Sequence, residues 1–261
     1  MPLLNFETFI GNQGLFNRSG AAVTNLLAED LADNPGDFKL YVFLNCYKYD
    51  EKFLKAIAKL QQKKCVMLWL YAPGFIKGFE SSLANMQQLT GMKFEQFSLP
   101  HAATVQFPDK RFMGTPQAEV TPLFAVNDPQ AEVLARYSNG KAGVAIKKHG
   151  KAISIFSGAW QLDMEFIDYL LKQSGIFQYS SSHDPIDVND NLIMLHARSA
   201  GVKEIKLPRK TTVLDVYERK IISRNADRFT TKVKLHETKC FYYGDDAEKL
   251  LIELKKINKT F

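Results

Sequence analysis

The sequence predicts a mixed α/β protein in which a three-layer α/β domain, residues 1–176, precedes a small all-β domain, residues 177–261. Two apolar runs, Leu40–Cys46 and Cys65–Ala72, have the composition of strands that are buried on both faces. Beyond residue 176 the helical period disappears, and short β-prone runs follow one another at regular spacing. These observations therefore predict two domains: first one with a parallel sheet, and then a small β-sandwich or open barrel.

The composition is that of an ordinary globular protein, with 46% hydrophobic and 24% charged residues in a chain of 261. No apolar run reaches the roughly 18 residues of a membrane span, and the amino terminus lacks a secretory pattern. We therefore expect a cytoplasmic protein without a membrane partner. The net charge is +6, but the lysines are spread over helix faces and strand edges, which argues against nucleic acid as a partner. The three cysteines form no CxxC pair, which favours reduced core thiols.

The two apolar runs frame a predicted helix. Five apolar residues between them recur at helical spacing: Phe53, Leu54, Ile57, Ala58 and Leu60. The stretch therefore predicts a strand, a helix and a parallel strand, joined by a right-handed crossover. The second strand ends at Ala72-Pro73-Gly74, which is the edge where open α/β folds place a ligand or a nucleophile.

Residues 1–38 form a less regular segment. Leu15–Leu31 contains helix formers and predicts a helix, although Ala22–Leu27 could equally form a short strand. The segment is too short for a complete first strand and helix. Either this first unit is abbreviated or the chain is the tail of a longer one, and the exposed sheet edge would suit a partner chain.

After Gly74 the sequence predicts a loop and then a helix that Ser81 or Ser82 caps and Gly91 ends. Short β-prone runs fill residues 93–147 and are separated by proline and Asn-Gly turns. A further strand and a helix complete the domain: Ala152–Phe156 and Leu162–Gln173. In the second domain the predicted strands are residues 191–197, 202–207, 212–216, 220–223, 228–235 and 239–243, and the final helix is residues 247–257.

The turn after the second strand is the first place to look for catalysis. Nucleophilic catalysis in this architecture needs a Ser or Cys on that tight turn, and residues 71–75 offer only the phenol of Tyr71. Pro73-Gly74 would then stand where a nucleophile is needed. Cys46 is the thiol near a strand end, but a lone Cys without a base is more often a core residue. The candidate ligand-site residues at this edge are Asn45, Cys46, Tyr71, Pro73, Gly74, Ser157 and Trp160.

A second candidate is the polar stretch from Ser182 to Asn191, which carries carboxylates, amides and an imidazole. It lacks the central Gly and the distal Glu of an EF-hand loop, and Asp, Asn and Pro also make ordinary turns, so a linker is favoured over a metal site. The residues that could combine here are His183, Asp184, Asp187 and His196. The sequence predicts no cofactor and no metal.

Carbohydrate binding is a third candidate, because sugar rings stack on aromatic faces and bond to Asp, Asn and Trp side chains. Aromatic residues make up 12% of the chain, which permits such a site without identifying one. Candidates near strand ends are Asn45, Trp69, Tyr71, Phe75 and Trp160, with core packing as the default for Trp69.

Seven stretches of the chain form a further pattern: LYVFLNCYKYDEKFLKAI, VMLWLYAPGFI, NMQQLTGM, EVLARYSNGKAGVAIKKHGKAISIFSGA, NDNLIMLHARSAG, VKEIKLP and TTVLDVYERKIISRN. Together they resemble the carboxy-terminal part of bacterial β-galactosidase-type glycoside hydrolases. The resemblance implies a flavodoxin-like α/β domain similar to class I glutamine amidotransferases, known as the trimerisation domain, and then a small all-β domain. In that family the elbow Cys is absent and the catalytic carboxylates reside in a separate barrel, so no catalytic residue carries over to this chain.

The sequence thus supports two main hypotheses. The first is a non-catalytic oligomerisation or accessory module that associates with itself or with a partner glycoside-hydrolase chain, with carbohydrate as a candidate ligand. The alternative is a hydrolase or amidotransferase-like enzyme that uses Cys46 or the His183 and Asp184 cluster. A weaker third hypothesis is polyanion binding through the lysine excess.

Overall fold

The computed structural model describes residues 6–98, 104–116 and 120–257. These residues divide into two compact units. The first unit contains residues 6–13 and 25–175, and the second contains residues 14–24 and 176–257. One border between the units falls between Gly175 and Ile176, and the early residues 14–24 belong to the second unit.

The first unit combines short strands and helices. Its strands, within the described residues, are Leu40–Phe43 (β1), Lys48–Tyr49 (β2), Val66–Leu70 (β3), Ile76–Lys77 (β4), Glu80–Ser81 (β5), Phe94–Phe97 (β6), Val105–Gln106 (β7), Phe112–Met113 (β8), Leu123–Val126 (β9), Glu132–Tyr137 (β10), Ala142–His149 (β11) and Ala152–Ser157 (β12). The helices up to residue 175 are a π-helix Phe6–Gly11, α1 (Asn12–Phe16), a 3₁₀ turn Asp30–Ala32, α2 (Glu51–Leu60), α3 (Leu83–Thr90) and α4 (Met164–Ser174).

The main sheet of this unit is parallel on one side and antiparallel on the other. Its order is β1-β3-β12-β11-β10-β7-β8, and β9 joins β11 to β6. Both β1 and β12 run parallel to β3, whereas β11 runs antiparallel to β12. The predicted order of strand, helix and parallel strand is therefore confirmed for β1, α2 and β3, within a sheet that mixes parallel and antiparallel strands.

Local sequence explains the helices. The carboxylate of Asp50 accepts the amide of Phe53 and thereby caps α2. Ser82 caps α3 in the same way, and Gly91 ends that helix in the left-handed conformation, as predicted. The segment predicted as a loop after Gly74 instead forms the β4–β5 hairpin, which pairs with β2 in a separate three-stranded sheet.

The second unit is built on a five-stranded antiparallel sheet. Its elements are Ile186–Asn189 (β13), Leu192–His196 (β14), Gly201–Asp215 (β15), Lys220–Val233 (β16), Thr238–Tyr243 (β17) and α5 (Ala247–Ile257). The strand order is β13-β14-β17-β15-β16. Ile193, Leu195, Ile205 and Phe241 lie in its buried core. β15 and β16 each replace two predicted shorter strands.

The predicted helix at Leu15–Leu31 is wrong. The α-helix ends at Phe16, residues 22–27 form neither helix nor strand, and only the short 3₁₀ turn Asp30–Ala32 follows at the end of the range. The chain turns at Gly20, whose φ is +76° and whose carbonyl accepts the amide of Tyr179 at 2.6 Å. A Cβ at Gly20 would lie 1.7 Å from the carbonyl oxygen of Ser180. This close backbone approach takes the segment out of helical geometry.

Among the described residues, no helix is both long enough and apolar enough to cross a membrane.

Candidate functional site

The carboxyl ends of β1, β3 and β12 bring the predicted edge residues together. The amide of Tyr71 donates to the carbonyl of Ser157 at 2.8 Å, and the amide of Gly74 donates to the carbonyl of Cys46 at 2.7 Å. Trp160 contacts the ring of Tyr71 edge-on, with centroids 5.9 Å apart. We refer to this place as the strand-end cluster, and its members are Asn45, Cys46, Tyr71, Pro73, Gly74, Ser157 and Trp160.

The backbone at Tyr71 has the form of a strained elbow. Its φ is +60°, which is uncommon for a residue with a large side chain. The amide of Ala72 donates to the carbonyl of Leu70 at 2.9 Å, so Tyr71 is the central residue of a three-residue turn. A sharp, strained turn after a strand is where α/β hydrolases place their nucleophile. The strained position is therefore Tyr71, two residues before the Pro73-Gly74 pair that the sequence predicts.

The side chain of Tyr71 is held in the interior. Its hydroxyl donates to the carbonyl of Pro122 at 2.7 Å, and its ring packs edge-on against Tyr47, Phe124 and Trp160. Only 7% of the residue is exposed. Burial, with a smaller contribution from Tyr47, raises the pKa of Tyr71 to about 12. The phenol is therefore neutral near pH 7 and has a hydrogen-bond partner, which does not suit a nucleophile.

The surroundings of Cys46 disfavour the thiolate form that a nucleophile needs. Burial, and to a lesser degree the charge of Glu29, raises the pKa of Cys46 to about 12. Reactive cysteines instead have a lowered pKa, usually next to a cation or a helix amino terminus. The thiol of Cys46 is consequently protonated at neutral pH.

The two tryptophans considered for sugar binding lie in the core, whereas Phe75 is half-buried and its ring packs against Phe124 with centroids 4.9 Å apart. Trp69 is fully buried, stacks on Phe43 with centroids 4.0 Å apart, and donates from its indole to Ser154. Trp160 is also fully buried, and its carbonyl accepts the amide of the Asn12 side chain at 2.6 Å. Neither indole presents a face to solvent, so neither can stack on a sugar without rearrangement of the core.

In the second predicted cluster, Asp184 and His196 contact residues outside the cluster. Asp184 is buried and forms an ion pair with Lys203 at 2.7 Å, and it also accepts the amide of Arg198 at 2.7 Å. Burial opposes its ionisation, but these contacts, with Lys203 first, outweigh it and lower the pKa of Asp184. His196 lies 2.9 Å from the hydroxyl of Thr238.

The remaining members of that cluster are Asp187 and His183. Asp187 is exposed on β13, opposite Met194. The carbonyl of His183 accepts from Arg18 at 3.1 Å. In the described part of the chain, no group of three or more His, Cys, Asp or Glu side chains could hold a metal ion. The contacts of Asp184 indicate a buried structural ion pair.

The fold is shared with known glycoside hydrolases. No protein-family model matches the chain, and no curated protein sequence matches it. A catalytic mutant of Gan42B, a GH42 β-galactosidase from G. stearothermophilus, matches with a TM-score of 0.63 at 13% identity over 91% of this chain and 36% of that one. A β-galactosidase from the Antarctic haloarchaeon Halorubrum lacusprofundi matches with a TM-score of 0.62 at 14% identity, over 93% and 36%.

A third similar structure is the α-L-fucosidase isoenzyme 2 from Paenibacillus thiaminolyticus, with a TM-score of 0.56 at 10% identity over 91% of this chain and 45% of that one.

This chain spans about a third of the length of the two β-galactosidases that it matches. At this level of identity the likeness shows a common fold and leaves the activity to be argued from the residues.

Proposed function

We propose that this chain is a non-catalytic module that associates with carbohydrate-active enzymes, and that its first unit is an amidotransferase-like, three-layer domain used for self-association. The observation that carries the proposal is Tyr71, because a buried phenol, bonded to Pro122, occupies the strained elbow where such a fold would need a nucleophile. The fold shared with β-galactosidases, over about a third of their length, supports the same context.

Exposed apolar side chains near the strand-end cluster support association. Phe79, at the tip of the β4–β5 hairpin, is fully exposed, and Ile76 at its base is 36% exposed. On the π-helix, Phe9 and Ile10 are 42% and 48% exposed. Both segments adjoin Tyr47, whose carbonyl accepts the amide of Ile76 and whose hydroxyl lies 3.5 Å from Thr8. Grouped exposed apolar side chains are typical of protein–protein interfaces.

The test is the mass of the chain in solution. We expect light scattering at about 50 μM to give an oligomer, since burial of exposed apolar side chains drives association. Phe79→Asp should lower the mass to that of a monomer, because the substitution places a charge in the interface. Phe112→Asp is the matched control, since Phe112 is also exposed, at 64%, but lies on β8. It should leave the mass unchanged.

Two results would contradict the proposal. A wild-type chain that is monomeric at this concentration would refute self-association. Turnover of nitrophenyl β-D-galactoside or of glutamine that disappears in Cys46→Ala would refute a non-catalytic role. The raised pKa of Cys46 does not favour that enzymatic alternative.

A further inference from the structure

A groove of about 670 Å³ lies in the first unit, at the opposite end of the sheet from the strand-end cluster. Part of its floor is one face of the sheet. The strand register places Val66, Ile153 and Lys148 side by side on β3, β12 and β11. Ile146 and Glu132 are paired in the same way on β11 and β10. Gln173 and Ser174, at the carboxyl end of α4, also line the groove.

The charge of this groove is strongly one-sided. Five lysines and a single acidic residue line it: Lys39, Lys64, Lys147, Lys148, Lys151 and Glu132. Lys147 is compensated, because it pairs with Asp128 at 2.7 Å. Lys39 donates to the carbonyl of Gly175 at 2.8 Å, where it offsets the negative end of α4.

Three ammonium groups remain for a ligand. Lys64, Lys148 and Lys151 form no ion pair with any residue that the structure describes, and all three are exposed. Lysine ammonium groups offer three donors each and bind phosphate as point charges. Like charges held close together without a counter-ion repel one another, so an anion that bridges them would relieve this repulsion.

We propose that this lysine-rimmed groove binds a small organic phosphate with a planar or apolar body. Its volume falls within the roughly 300–1,000 Å³ of small-molecule sites. Val66 lies at the floor together with Ile146 and Ile153, which are only partly buried and so leave apolar surface for the body of a ligand. The lysines would hold the phosphate groups, and the apolar floor would contact the body. The proposal goes beyond the association function and does not depend on it.

The probe is ADP, measured by isothermal titration calorimetry with the full chain. ADP carries a planar body and two phosphates, whereas pyrophosphate supplies the charges alone and adenosine supplies the body alone. We expect ADP to bind at least tenfold more tightly than either, and its affinity to fall several-fold between 50 and 300 mM salt, because screening weakens the charge interactions.

The groove is tested by a triple variant, Lys64→Gln, Lys148→Gln and Lys151→Gln, which should weaken ADP binding at least tenfold. The matched control replaces three other exposed lysines of the first unit: Lys48, Lys55 and Lys59. It should bind ADP as the wild type does, and circular dichroism verifies that both variants are folded. The proposal is overturned if ADP does not bind at 5 mM, if pyrophosphate or adenosine binds as tightly, or if the control loses as much affinity.

Discussion

At the scale of single residues, Tyr71 shows how a strained backbone position can be retained without a nucleophile. A left-handed conformation at a residue that is not glycine costs about 1–3 kcal/mol and persists only where surrounding contacts determine it. Here the amide bonds to Ser157, the hydroxyl bonds to Pro122, and the ring packs among other aromatic side chains. These contacts make Tyr71 a packing residue at an elbow.

Removal of the Tyr71 hydroxyl tests this role. Tyr71→Phe leaves the carbonyl of Pro122 without its buried donor, so we expect a loss of about 1–2 kcal/mol in the free energy of unfolding of the first unit. Urea unfolding followed by tryptophan fluorescence measures this unit alone, because both tryptophans, Trp69 and Trp160, belong to it.

The control for that measurement is Tyr169→Phe. Tyr169 is a half-buried tyrosine of the same unit, and its hydroxyl has no hydrogen-bond partner in the described part of the chain. We expect Tyr169→Phe to change stability by less than about 0.5 kcal/mol. Equal stabilities for Tyr71→Phe and the wild type would mean that the bond to Pro122 does not hold the elbow.

The sequence could predict where the strand-end cluster forms, because the carboxyl ends of neighbouring parallel strands meet at one edge. It could not predict which residue is strained. Tyrosine has no intrinsic preference for positive φ, and its partner Pro122 lies 51 positions along the chain. The predicted pair Pro73-Gly74 followed the usual preference for glycine in turns, and Gly74 does have a φ of +65°.

At the scale of elements, hydrogen bonds hold the segment around Gly20 against the rest of the second unit. Besides the bond from Tyr179 to Gly20, the amide of Ile186 donates to the carbonyl of Asn17 at 3.0 Å, and the side chain of Gln178 donates to the carbonyl of Ser19 at 2.9 Å. These bonds attach an early stretch of chain to one far along the sequence.

Gly20→Ala should detach this segment. A Cβ would collide with backbone at Ser180, which cannot move as a flexible side chain would, and the φ of +76° is unfavourable for alanine. We expect a loss of at least about 2 kcal/mol in the stability of the second unit. Hydrogen exchange at the amides of Tyr179 and Ile186 should become at least tenfold faster.

Gly14→Ala is the control for this substitution, since a Cβ at Gly14 would have no neighbour within 4 Å. It lies in α1, where alanine is favoured over glycine, and should leave both amides as protected as in the wild type. Unchanged protection of these amides in Gly20→Ala would refute the idea that the segment around Gly20 stabilises this part of the second unit.

Elements were predictable where the pattern is local. The apolar stripe from Phe53 to Leu60 predicts α2 from a few residues, and the structure adds the cap at Asp50. The long strands β15 and β16 were each predicted as two, because Leu207-Pro208-Arg209-Lys210 and the residues opposite it interrupt the alternation. The structure accommodates the interruption as register shifts between Lys206 and Thr211 within a continuous hairpin. Such a bulge depends on the partner strand, so the sequence of one strand does not reveal it.

At the scale of the whole molecule, the positive charge is unevenly divided. The second unit, with residues 14–24 and 176–261, carries 17 Lys and Arg against 12 Asp and Glu, and the remainder of the chain carries 17 against 16. The second unit also buries part of this charge. Lys203 pairs with Asp184, and Lys239 contacts Asp215 and Glu237 at 3.4 and 3.5 Å and also Glu218.

This arrangement predicts that acid destabilises the second unit. A carboxylate with a lowered pKa in the folded state stabilises the fold above its unfolded pKa of about 4, and this contribution is lost as the pH falls through the folded value. Asp184 has such a lowered pKa, and hydrogen bonds from Lys220 and Lys239 lower that of Glu218 to about 2. The pKa of Lys239 is raised in the folded state, so its contribution to stability is present in acid and is lost only as the pH rises through that raised pKa.

Asp184→Asn separates the buried ion pair from general acid effects. At pH 7 the substitution leaves the ammonium of Lys203 buried without its counter-charge, which we expect to cost about 3–5 kcal/mol in the second unit. As the pH falls from 6 to 3, the wild type loses the contribution of Asp184 while the variant has none to lose, so the difference between them should narrow. Hydrogen exchange at the core amides of Ile193 and Leu195, corrected for the intrinsic pH dependence, measures both quantities.

Asp187→Asn is the matched control, because Asp187 lies three residues away but is exposed. It should follow the wild type at every pH, since an exposed carboxylate without a buried partner contributes little to stability. If Asp184→Asn and the wild type differed by the same amount at pH 3 as at pH 7, the cost would come from altered packing rather than from the lost charge. The buried pair with Lys203 would then not be the source of the acid sensitivity of this unit.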